Sequence, residues 1–119
     1  MLKENHNLED ALKKYLCLLK EQCYFEAHEA LEEAWHPLRK ANHPSKNLVK
    51  GLINGAIAFE HIKRNQEGRQ RKANIVIGSF ERYKSLLSKE LECYALLDEA
   101  CNTIESLKQE HNTIFEEDS

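Results

Sequence analysis

The stretch Leu48–Ile62 constrains this chain more than any other. Placed on a helix at about 100° per residue, Leu48, Val49, Leu52, Ile53, Ala56, Ile57, Ala58, Phe59 and Ile62 cover most of the circumference with apolar side chains. A helix apolar nearly all round has to be enclosed by other elements rather than lie on a surface. The apolar coat has one gap. Lys50, Asn54 and His61 fall within about 40° of one another, and Asn65 continues their line.

The rest of the chain supplies the enclosure. Asn7 can cap a first helix over about 7–21, in which Leu8, Leu12, Tyr15, Leu16 and Leu19 recur at helical spacing. A second begins near Tyr24 or Phe25 and runs through Leu31 and Trp35 to His36-Pro37, where the residue before proline is pushed from helical geometry and the helix stops or kinks. Ser45 follows a clear loop, Asn42-His43-Pro44, and caps the third helix, which extends to Asn65. Fourth and fifth helices are expected over about 68–88 and about 95–110.

Four glycines and two prolines in 119 residues leave few turns, which suits long helices rather than many strands. The expectation is all-α: one domain over 1–119, a compact bundle of about five antiparallel helices with the third central. The core should lie within about 7–110, and the acidic end 111–119, closing on Phe115-Glu-Glu-Asp-Ser, should fray. The longest apolar-rich run, Gly51–Phe59, is far short of the roughly 20 residues of a membrane span. No leader is visible, so a cytoplasmic location and no membrane partner are expected. Cys17, Cys23, Cys93 and Cys101 lack zinc-knuckle spacing and read as reduced core thiols.

On the second helix, Tyr24, Ala27, Leu31, Ala34, Trp35 and Leu38 form one apolar arc, with His28 at its edge and Glu32 one turn further on the same face. Phe25 closes that face from the other side, and Glu29 can reach the rim. If the second and third helices are neighbours, Asn54 and His61 find their partners most economically at His28 and Glu32. An unsatisfied buried polar group would cost on the order of 1–3 kcal/mol.

The block Phe25-Glu-Ala-His-Glu-Ala-Leu-Glu-Glu-Ala-Trp35, with Gly51-Leu-Ile-Asn-Gly-Ala-Ile-Ala and His61-Ile-Lys-Arg-Asn65, resembles domain-of-unknown-function family 309, a group of small bacterial and archaeal helical proteins. The resemblance spans about residues 8–88. Family sequences usually carry Gln where this chain has Asn54. The resemblance implies an all-helical fold and a special status for His28, Glu29, Glu32, Trp35 and His61; it brings no activity with it.

Two readings of the polar set stay open. His28 and Glu32, at i and i+4, could chelate a divalent metal with His61 from the next helix, or serve acid/base catalysis with Glu29 in a hydrolase-like enzyme. The zinc-protease pattern fails, because Glu32 stands where its second histidine would be. Alternatively, His28, Glu32, Asn54 and His61 form a satisfied network that sets the register of two helices in an interaction or scaffold domain, with a protein partner or a second copy, as in a homodimer. The network is preferred, since no third metal ligand is dictated by local spacing. Trp35 reads as core, and His6, His36, His43 and His111 as surface or loop residues.

One basic segment remains: Lys63, Arg64, Arg69, Arg71 and Lys72 surround a turn into the fourth helix and form a candidate phosphate or nucleic-acid contact. No aromatic residue interleaves with them, and the net charge of −3 opposes general nucleic-acid binding. A solvated surface is the preferred reading.

Overall fold

In the computed structural model, residues 3–64 and 68–111 are described, with side chains from Leu8 onward. Five helices follow one another: α1 (Lys3–Lys20), α2 (Tyr24–Lys40), α3 (Lys46–Arg64), α4 (Arg69–Tyr83) and α5 (Tyr94–Glu110), with a 3-10 turn over Lys84–Leu86 after α4. The expected bundle is present, and α3 is its central member, packed against α2, α4 and α5. No helix is long and apolar enough to cross a membrane, among the described residues.

The periodicities explain the packing. Leu8, Leu12, Tyr15, Leu16 and Leu19 of α1, Ala27 and Leu31 of α2, Ala73, Ile77 and Phe80 of α4, and Leu97, Ala100 and Ile104 of α5 are buried around Leu48, Leu52, Ile53, Ala56 and Phe59 of α3. The Tyr15 hydroxyl donates a 2.6 Å hydrogen bond to the Leu52 carbonyl in the interior, giving the buried phenol its partner and fixing α1 against the middle of α3. Burial raises the pKa of that phenol well above its ordinary value. Between α3 and α4 the backbones approach closely: a Cβ on Gly51 would come within 3.2 Å of the Phe80 Cα and the Ser79 carbonyl oxygen.

Several boundaries differ from expectation. α1 is already helical at Lys3, so Asn7 lies inside it and does not cap it. α2 passes through Pro37 and ends at Lys40. Proline removes one intrahelical donor, and the residues after it secure the last turn: Leu38 is buried, and its carbonyl accepts the His43 N–H at 2.9 Å. That closure needs a left-handed residue, supplied by Asn42 at φ 54°; α1 ends in the same way, with Gln22 at φ 63° and Cys23 N–H bonded to the Leu18 carbonyl. α4 is shorter than expected and gives way to the 3-10 turn.

Ser45 does precede α3, and its carbonyl accepts the Val49 N–H, but its fully buried hydroxyl has no hydrogen-bond partner among the described residues. The ring of His43 takes part instead, its Nδ1 accepting the Ser45 N–H at 3.0 Å. Of the four thiols, all unpaired, only Cys101 is in the core; Cys17 is exposed, and Cys23 and Cys93 are half-buried. Helical register places Cys17 on the outer side of α1, between Lys13 and Lys20. Asn65 and the acidic end beyond His111 lie outside the described residues, as does the side chain of His6.

Candidate functional site

From Leu48 to Ile62, α3 is buried except at Lys50, Asn54, Ile57, Glu60 and His61, which stay partly exposed. Lys50, Asn54, Ile57 and His61 are spaced four, three and four residues apart, so they stack in one line along the helix opposite Leu52. The central helix is thus open along a single strip. Its polar members were legible as the gap in the apolar coat. Ile57 was not, because an isoleucine on such a helix reads as core.

α2 borders this strip on one side. The Trp35 indole N–H donates to the Lys46 carbonyl at 3.1 Å, and the Lys50 ammonium lies 4.4 Å from the centre of the indole ring, with the Arg39 guanidinium 5.2 Å from it. Trp35 is packed half-buried against the core, as expected in part, and beyond that expectation its ring carries two cations. One turn and two turns earlier on the same flank, the His28 Nε2 is 3.4 Å from a Glu32 carboxylate oxygen, with side-chain exposures of 17% and 39%. The ring of Phe25 stands edge-on to His28, with centroids 5.1 Å apart and planes at 74°. Glu29 is exposed, further round the helix.

α4 borders the other side. It runs antiparallel to α3, and the register that sets Gly51 against Phe80 brings its first turn beside His61. His61 is accordingly less basic than an ordinary histidine, first because it is partly desolvated, then because the Lys72 and Arg64 cations lie near; Glu60 opposes them weakly. Near neutral pH its imidazole is uncharged.

Among the described residues no hydrogen bond joins Asn54 or His61 to His28 or Glu32. Nor do three or more His, Cys, Asp or Glu side chains converge as a metal centre requires. The hydrogen bonds among the described residues therefore include the His28–Glu32 contact on α2 and do not extend it to Asn54 or His61 on α3. Residue periodicity gives the angle at which a side chain leaves its own helix but not its partners on the next one.

The basic segment is largely taken up by the fold. Lys63 donates to the Gln22 carbonyl at 2.8 Å, Arg64 pairs with Glu60 at 2.7 Å, and Arg69 reaches the Ile62 carbonyl at 3.4 Å. The Arg69 contact gives a donor to a carbonyl in the last turn of α3, and the Lys63 contact ties α3 to the turn between α1 and α2. Arg71 and Lys72 stay exposed. A concavity of about 360 Å³ lies between α1 and α2 over Ala11, Ala30, Ala34 and Pro37, rimmed by Asp10, Lys14 and Glu33.

No curated protein and no solved structure matches the chain. The model of the family described as Domain of unknown function (DUF309) matches residues 12–73, a span from α1 into the first turn of α4 that takes in the whole strip and its α2 border, and the chain belongs to that family.

Proposed function

We propose that this protein is a non-catalytic interaction module that binds through the face formed by the open strip of α3 and the flanks of α2 and α4. The observation that carries the reading is the exposure pattern of α3. A helix that is otherwise buried leaves Lys50, Asn54, Ile57 and His61 partly open, and no hydrogen bond among the described residues commits Asn54 or His61 to the fold. Polar groups on a central helix normally find internal partners or are replaced by apolar ones. Groups left open there are available to a partner.

The test is thermodynamic. Lys50→Ala, Asn54→Ala and His61→Ala should each unfold in urea within about 0.5 kcal/mol of the parent, as surface substitutions do. Losses above about 1 kcal/mol at all three positions would mean that the strip holds the bundle together, and the binding reading would fail.

A second reading rests on the His28–Glu32 contact of 3.4 Å, a carboxylate orienting an imidazole beside the aromatic wall of Phe25. Such a pair can move a proton in a small acid/base or metal-dependent enzyme, with His61 and Glu29 as further candidates. Metal analysis of untagged protein beside His28→Ala and Glu32→Gln separates the two: bound metal that both variants lose would favour the enzyme.

A further inference from the structure

The binding face carries a charge pattern that selects among partners. Lys50 and Arg39 stand at the Trp35 end, and Lys72 stands beside His61 at the other. None of the three cations has a carboxylate partner among the described residues, whereas the two carboxylates along this face are engaged, Glu32 with His28 and Glu60 with Arg64. The ends are therefore cationic. Between them lie an amide, Asn54, and an apolar side chain, Ile57. Lys50 and His61 are eleven residues apart, which on a helix is roughly 16 Å.

We propose that this face docks an amphipathic helix of a partner protein, with acidic residues about three turns apart set against Lys50 and Lys72 and an apolar residue between them set on Ile57. The proposal rests on the binding-face reading and adds the chemistry of the occupant. Three turns of helix match the separation of the cationic ends, and the apolar residue covers Ile57, the partly exposed aliphatic group of the strip. A small anion would satisfy one end only. A nucleic acid, with backbone charge every few ångströms, would face Asn54 and Ile57 with no cation to meet it. A second copy related by a two-fold axis would place Lys50 and Lys72 against like charge.

The test uses the single tryptophan of the full chain, which is Trp35, as its reporter. The probe is a synthetic helical peptide of about 15 residues, with glutamates about eleven apart and leucine midway. Titration should give a saturable change in Trp35 emission. Lys50→Glu and Lys72→Glu, each checked by circular dichroism to be folded, should each weaken it at least about tenfold, which corresponds to about 1.4 kcal/mol. A peptide with lysines in place of the glutamates should bind the double variant instead. The proposal is overturned if the glutamate peptide leaves Trp35 emission unchanged, or binds the folded variants as well as the parent. Saturation by single-stranded RNA or inorganic phosphate with the peptide silent overturns it too. Loss of fold in alanine variants of the strip would strike the binding-face reading, while alanine variants that stay folded beside a parent chain that binds no peptide strike this inference alone.

Discussion

The Lys50 ammonium lies 4.4 Å from the centre of the Trp35 ring, and the indole N–H of that ring is bonded to the carbonyl of Lys46, one turn before Lys50 on α3. A single side chain of α2 thus grips the start of α3 twice. Trp35→Phe keeps an aromatic surface and removes the donor. It should lower stability by about 1 kcal/mol, the usual worth of one hydrogen bond, as read from urea unfolding followed by circular dichroism. A change below the error of the fit would mean that the indole N–H contributes nothing at this junction.

Glycines on either side of the same bundle should respond oppositely to one added methyl. At Gly51 the new Cβ would press on the backbone of Phe80 and Ser79, atoms that cannot rotate away. Gly51→Ala should therefore destabilise, by about 1–3 kcal/mol as overpacked sites do. At Gly78, in α4, a Cβ meets nothing within 4 Å, so Gly78→Ala should stabilise by about 0.5–1 kcal/mol through helix propensity alone. Thermal midpoints moving in the same direction for both would contradict the packing of α3 on α4.

His61 makes stability depend on pH in a definite sense. Its native pKa lies below the ordinary 6.5, so the unfolded chain takes up a proton first. The stability linked to the neutral imidazole is complete above about pH 6.5 and is lost as pH falls through the lowered native value. His61→Gln should flatten the decline in urea midpoint between about pH 7 and 5. Lys72→Ala should raise the His61 midpoint followed by NMR. An unchanged midpoint would remove Lys72 from the neighbourhood of the ring.

The four thiols should separate in alkylation. Burial, helped by Asp98 and Glu105, pushes the Cys101 thiol up to about 11, whereas Cys17 is exposed. Two units above the ordinary value mean about a hundredfold less thiolate at pH 8, before access is considered. Iodoacetamide followed by mass spectrometry should label Cys17 first and Cys101 only in denaturant. Early labelling of Cys101 would show that α5 opens from the core.

The helical pattern made most of the fold legible. An apolar coat around Leu48–Ile62 demanded a central helix, and the three-to-four spacing of Leu8, Leu12 and Tyr15 or of Ile77 and Phe80 named the faces packed on it. Helix ends were harder. Gln22 and Asn42 take left-handed conformations that sequence associates first with glycine, and Pro37 sits inside a helix because a buried Leu38 and a closing turn outweigh one missing donor. In the site, the spacing of His28 and Glu32 gave a real contact, while spacing along one helix does not set hydrogen bonds to the next, and none among the described residues reaches Asn54 or His61 from that pair. Trp35 packs half-buried against the core and its ring also reaches across the seam to Lys46 and Lys50, a contact that spacing along α2 alone does not give.

The open strip belongs to the element whose opposite side is the core, with Leu52 held there by the hydroxyl of Tyr15. A recognition surface on such a helix has no hinge of its own and cannot loosen without global unfolding. Docking should therefore proceed close to rigid-body, with little ordering of backbone to offset affinity. The slowest-exchanging amides of the protein and the residues that meet a partner would then lie on the same turns of α3.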